Sequence, residues 1–179
     1  YPLFDKFNSL ADKDIYLDGT SWKETISDLY DTAALANTGN ALTAHVSNYV
    51  TLTTQSTYYK MTMTNNGIVS GELLTVSSGG IKCLKSGYVL VSGQAQFFGV
   101  NDTNVCNVQI RQNSTAVAQS TARSSGDRIE IVVSPRCIYV NTNDIIYLYV
   151  ANTSSNTGKA GTNSTSITSD DMLKNYLTV

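Results

Sequence analysis

The chain has 179 residues, a formal net charge of −2 and only 15% charged residues, well below the roughly 25% of an average soluble protein. With no run of Lys or Arg, that balance excludes a nucleic-acid partner and disfavours an anionic membrane surface. No stretch approaches the roughly 20 consecutive apolar residues of a membrane helix, so no membrane insertion is expected. Ser, Thr, Asn and Gly take the place of the charges, and Tyr, with 11 copies, dominates the aromatics. Such a chain builds strands and turns whose surface carries hydroxyls and amides.

In chain order, Asp12, Asp14 and Asp18-Gly19 come first and suggest a calcium loop. Tyr16 and Leu17, however, stand where such a loop needs an oxygen ligand and a glycine, so no metal is expected there. Ser21 and Glu24 then have capping-box spacing. Trp22, Ile26, Leu29, Tyr30 and Ala33 follow at the intervals that give a helix one apolar face. The turn signal Asn37-Thr38-Gly39-Asn40 should end that helix. One amphipathic helix of this length is marginal alone and must bury its stripe, either on the rest of its own chain or on copies in neighbouring subunits. Residues 1–47 therefore read as an N-terminal linker and helical attachment segment, with His45 in the linker Thr43-Ala44-His45-Val46.

From residue 48 the pattern changes to short strands with turn punctuation. Strands are expected over 50–64, over 68–76 after the turn Asn65-Asn66-Gly67, and over 81–85 and 88–98 on either side of Ser86-Gly87. Further strands follow over 105–112 and 115–119, joined by a hairpin turn at Asn113-Ser114. Residues 128–133 alternate Ile129, Ile131 and Val133 with polar neighbours. After Pro135 come strands at 137–140, 144–151 and 172–179. The segment 152–171, nearly all Asn, Thr, Ser, Gly and Asp, reads as a long exposed loop with room for a short strand at 166–168. Roughly eight to ten strands at this spacing imply an all-β sandwich or jelly roll over residues 48–179.

Four segments in this order resemble a known family. GIKCLKSGYVLV at 80–91 is similar to the strand–Gly–Tyr–strand signature of the tumour-necrosis-factor-like (TNF-like) and complement-C1q-like jelly rolls. VQIRQNSTAVA at 108–118 resembles the hairpin that follows in the versions found in phage structural proteins. NDIIYLYV at 143–150 resembles the family's Gly-Asp-hydrophobic strand, with Asn in place of Gly, and YLTV at 176–179 its closing strand. The resemblance implies a TNF/C1q-like jelly-roll sandwich that assembles as a compact homotrimer. It leaves the role open among cytokine, recognition head, spore-surface knob and phage tail tip, because a fold does not choose a function.

The residues add their own argument for assembly. If Ile146, Leu148 and Val150 point into the sandwich, period-two alternation places Tyr147 and Tyr149 on the opposite face. Uncharged tyrosines suit a subunit interface, since Tyr buries a large area and keeps a polar tip; the other reading is cross-strand pairing on a solvated face. Tyr88 and the helical stripe of Trp22, Ile26 and Leu29 complete the expected trimer interface.

Candidate chemistry is sparse. The single histidine has no Gly-x-Ser-x-Gly elbow to serve. Glu24, Glu72 and Glu130 do not pair across a visible cleft, and the adjacent Asp170 and Asp171 would face opposite ways in a strand. Ser77-Ser78-Gly79-Gly80 precedes a strand rather than a helix, so no phosphate-bearing cofactor is expected. Cys83, Cys106 and Cys137 form no CxxC pair and are too scattered for zinc; they read as buried free thiols, with one disulfide and a spare thiol as the alternative. Binding remains. The loops around Asn101, Asp102 and Asn104 and around Asn152 and Asn156 offer amides, hydroxyls and a carboxylate, groups that suit sugar hydroxyls. The expectation is a non-catalytic, trimeric phage tail-fibre or baseplate head that attaches to bacterial glycans. Residues 1–47 would join it to other virion proteins. A purely structural virion part, or a bacterial surface or spore-coat adhesin, is the alternative.

Overall fold

The computed structural model describes residues 40–46, 49–161 and 174–179, with the backbone alone at 65–68. In the described residues the strands are β1 (Ala41–Val46), β2 (Val50–Thr51), β3 (Tyr59–Met61), β4 (Met63–Ser70), β5 (Leu74–Ser77), β6 (Gly80–Cys83) and β7 (Gly87–Phe98). They continue as β8 (Val105–Gln112), β9 (Thr115–Arg123), β10 (Arg128–Val140), β11 (Ile145–Asn152), β12 (Lys159–Ala160) and β13 (Tyr176–Thr178). The helix expected around Trp22, Ile26 and Leu29, the aspartates at 12–18, Asp170, Asp171 and the short strand at 166–168 all lie outside the described residues.

The strands form two antiparallel sheets. The first runs β4-β1-β13-β7-β10, with β12 beside β13 along β7 and β2 outside β12. The second runs β5-β6-β11-β8-β9, with β3 beside β6 along β11. Their inner faces close on Leu42, Ala44, Val91, Phe97, Ile131 and Leu177 from one side and Ile81, Val108, Ile110, Ile146 and Leu148 from the other, all buried. This is the packing of a two-layer sandwich, each strand giving alternate residues to the core. Gly93 lets the layers meet: a Cβ there would stand 3.0 Å from Leu148 Cδ1 of the opposite sheet.

Several local readings are corrected. Residues 43–46, read as linker, belong to β1, where Ala44 pairs with Leu177 and His45 with Tyr176. Asn65-Asn66-Gly67, read as a turn, lies inside β4. There the ladder to β1 shifts register on either side of Ala44 and His45, so the turn-forming residues are taken up as bulges instead of reversing the chain. The strand expected over 50–64 is divided into β2, β3 and the start of β4, with Ser56 at φ 61 in the break. Pro135 does not end a strand. It sits in β10 between Val133 and Arg136, where the register against β7 slips, and β10 is an edge strand; edges and bulges are where a sheet tolerates a residue with no N–H to donate. The hairpin at Asn113-Ser114 is as read, with Gln112 opposite Thr115 and Asn113 at φ 54.

Candidate functional site

Each sheet has an outer face, and the two differ in chemistry. On β7 the alternation points Tyr88, Leu90, Ser92 and Gln94 outward, opposite Tyr139, Cys137 and Val132 of β10. The β10 bulge makes this possible. From the pair Val132–Gln94 to the pair Cys137–Leu90, β10 advances five residues while β7 advances four. The extra residue inverts the alternation, so Cys137 and Tyr139 face outward and Ile138 turns toward the core. Arg136, opposite the inward Val91, stands apart from this row. Tyr88 is 78% exposed, Leu90 59% and Tyr139 51%, and the rings of Tyr88 and Tyr139 meet edge to face with centroids 5.2 Å apart. Across the same face Thr43 and Thr178 share a 3.0 Å hydrogen bond, while His45 pairs with Tyr176 and Tyr176 with Gln94. From the Gln94 row to Tyr88 these outward positions carry no carboxylate, Lys or Arg. Charge returns only beyond, where Gln96 Nε2 donates to Glu130 Oε1 at 3.0 Å and Lys174 Nζ lies 4.0 Å from Glu130.

The outer face of the second sheet is stacked and cationic. Ile146, Leu148 and Val150 are fully buried, so Tyr147 and Tyr149 do face away from the core, half-buried, with ring centroids 6.3 Å apart. Lys60 Nζ lies 4.9 Å from the Tyr147 ring centre. The Arg111 guanidinium lies 4.3 Å from that of Tyr149 and 5.0 Å from that of Tyr58, with Arg111 Nε donating to Gln109 Oε1 at 2.8 Å. Gln109 Nε2 in turn donates to Gln119 Oε1, and Asn107 Nδ2 to Thr121 Oγ1, each at 2.7 Å. Lys82, beside Ile145, and Arg123, beside Val105, extend the positive charge. Tyr147 and Tyr149 are therefore on the other sheet from Tyr88, and the expected tyrosine interface is divided between two faces.

The loop residues expected to bind a ligand gather at one end of the sandwich, and two of them are committed to building it. Asn152 is fully buried. Its Nδ2 donates to the Thr157 carbonyl at 3.0 Å, and its Oδ1 accepts from the backbone N–H groups of Ser154 and Ser155 at 3.2 and 3.1 Å. Asn104 is buried too; its backbone N–H donates to the Asn101 carbonyl, and its Nδ2 has no hydrogen-bond partner. Asn101, Asp102 and Asn156 are exposed.

At the opposite end Asp144 ties two turns together. Its carboxylate accepts from Gln112 Nε2 at 2.6 Å, Asn113 Nδ2 at 2.8 Å and the Asn141 N–H at 2.8 Å. These bonds, the Asn141 backbone foremost, hold its pKa below the ordinary carboxylate value of 3.8. Cys83 and Cys106 are buried free thiols, and burial pushes both pKa values up to about 11. Cys137 is also free but exposed, correcting the expectation that all three are buried. Among the described residues no three His, Cys, Asp or Glu side chains come together as a metal site.

No protein-family model matches the chain, and no curated protein does. Solved structures do. The crystal structure of murine APRIL at pH 5.0 aligns with a TM-score of 0.55 at 14% identity, covering 78% of this chain and 95% of that one. Eiger TNF from S. frugiperda aligns at 0.52 and 14% identity, covering 79% and 90%. The fold is the TNF-like jelly roll. PRD1 vertex protein P5 also matches, at a TM-score of 0.45. At these identities the TNF-like likeness fixes the architecture alone, and function rests on the faces and loops described above.

Sequence reasoning missed Cys137 and Tyr139, because their outward direction depends on the β10 bulge, and it missed Leu90, although that residue follows Tyr88 in plain alternation along β7. It missed Lys60, Tyr58 and Arg111, because stacking between strands distant in sequence leaves no local pattern.

Proposed function

We propose that this chain is the non-catalytic head of a homotrimeric attachment protein, buried between copies through the outer face of β7 and β10. TNF-like domains generally form homotrimers, but the observation that carries the reading is the uncharged outer face of Tyr88, Leu90, Cys137 and Tyr139. Depletion of charge with enrichment of aromatic side chains is the signature of an interface core, and large exposed apolar side chains side by side mark an association surface. The second sheet's face fits this role less well, because Lys60 and Arg111 would lose water on burial with no opposite charge on the same face. The setting we propose is the tail fibre or baseplate of a phage virion, with the residues before β1 joining other virion proteins and the head binding bacterial surface glycans. The low charge and the Ser, Thr and Asn-rich surface support a sugar-facing, extracellular particle. The test has two readouts on one preparation. Sedimentation should count three copies, and labelled protein should bind whole bacterial cells, with competition by polysaccharide released from those cells. A trimer that binds no cell surface would replace attachment with a purely structural role, and a monomer would overturn the proposal.

A further inference from the structure

If the first sheet is covered in the assembly, the second sheet's face is turned to solvent three times over. The chemistry of that face is specific. Two half-buried rings, Tyr147 and Tyr149, stand edge to face. Lys60 lies against one, and Arg111 lies against the other and against Tyr58. Beside them runs an amide and hydroxyl ladder of Gln109, Gln119, Asn107 and Thr121. Lys82 and Arg123 flank the array on the strands to either side. Of the five carboxylates among the described residues, Glu72, Asp102, Asp127 and Glu130 lie in loops or on the first sheet, and Asp144 sits in the turn before β11, already bonded to Gln112 and Asn113.

We infer that the outer face of β3, β11, β8 and β9 is a binding surface for acidic saccharides, uronate-bearing glycans above all. The inference rests on the attachment reading and names its ligand class. Tyrosine rings offer flat apolar area to the C–H face of a pyranose, and amides and hydroxyls exchange hydrogen bonds with ring hydroxyls. The Arg111 fork supplies what a carboxylate needs. Its plane is held against the rings of Tyr58 and Tyr149 and its Nε is engaged with Gln109, so the guanidinium is ordered before a ligand arrives. The terminal Nη groups are outside that bond. A preordered planar fork is the group that recognises a carboxylate in two-point geometry. The cations are set singly between aromatic and amide side chains instead of forming a continuous phosphate-tracking groove, which favours a saccharide over a nucleic acid. A trimer would present three such faces, so weak single-site affinity would be raised by avidity on a polymeric glycan.

The test is calorimetric titration of the assembled protein with a hexameric oligogalacturonate and, separately, with neutral maltohexaose. The acidic oligomer should bind, more weakly as salt rises, and the neutral one should bind at least about tenfold less tightly. Arg111→Gln and Tyr149→Ala should each weaken galacturonate binding about tenfold or more. Lys85→Gln, which removes the same charge from an exposed loop, should leave it unchanged, and circular dichroism and sedimentation should show every variant folded and assembled. Equal loss in Lys85→Gln would reduce the effect to net charge and overturn the site. Equal affinity for the two oligomers would overturn the ligand class. Absent galacturonate binding in a protein that still trimerises and adheres to cells would overturn this inference while leaving the attachment reading intact.

Discussion

Asp144 shows how one carboxylate can secure two turns. Its partners come from the Asn113 turn and from the segment leading into β11, so removing it frees both at once. Asp144→Ala should lower the unfolding free energy by about 1 kcal/mol, given the solvent that reaches the turn, as read from urea midpoints. The sign of its pH effect follows from its lowered pKa. The contribution is fully present above the unfolded value near 3.8 and is lost as pH falls below it toward the folded value. The wild type should therefore lose stability over that acid window faster than Asp144→Ala. The cysteines give a second test at this scale. Thiolates are the reactive form, and Cys83 and Cys106 are buried with pKa values pushed up to about 11. A disulfide reagent should leave both unmodified in the native protein. Cys137 should react quickly in a dissociated protomer and slowly in the assembled trimer. Fast labelling of Cys137 in a proven trimer would move the interface elsewhere.

Among elements, β10 has the largest consequence for function. Its bulge around Ser134 and Pro135 changes which side chains face the neighbour strand's outer row, and so decides whether Tyr139 lies beside Tyr88. Deleting Ser134 would restore strict alternation, drive Tyr139 toward the core and turn out Val140, which is now fully buried. The deletion should cost about 3 kcal/mol or more by lost burial and overpacking, whereas Ser134→Ala should fall within about 0.5 kcal/mol of wild type; thermal unfolding of the two variants compares them. The same strand shows what a sequence conceals. Ile129, Ile131 and Val133 alternate visibly and were legible as a strand, as were the buried Ile146, Leu148 and Val150 of β11. Pro135 looked like an end because its missing donor matters only in a central strand, and edge position is a property of the whole sheet. Asn65-Asn66-Gly67 misled for a related reason: residues that permit a turn also permit a bulge, and pairing with β1 chose the bulge. Asn104 and Asn152 suggested sugar contacts by their chemistry, yet both are buried, and the Asn152 amide is spent on stapling its own loop.

For the whole molecule, the two sheets divide the work that the sequence had assigned to one set of tyrosines. Alternation correctly sent Tyr147 and Tyr149 outward, but outward has two meanings in a sandwich, and the cations from β3, β6, β8 and β9 distinguish this face from that of Tyr88. The jelly roll itself was legible from the order of four segments, because strand spacing and turn chemistry are local. In the proposed assembly the uncharged β7–β10 face joins three copies. Sedimentation equilibrium of the wild type beside Tyr88→Glu/Leu90→Glu, across the micromolar range, tests it most directly. Both positions are exposed in the protomer, so the double variant should fold with an unchanged circular dichroism spectrum. Burying its carboxylates between copies would cost several kcal/mol by rough estimate. The wild type should sediment as three copies and the double variant as one. A wild type that stays at one copy throughout, or a double variant that remains at three, would contradict that assembly.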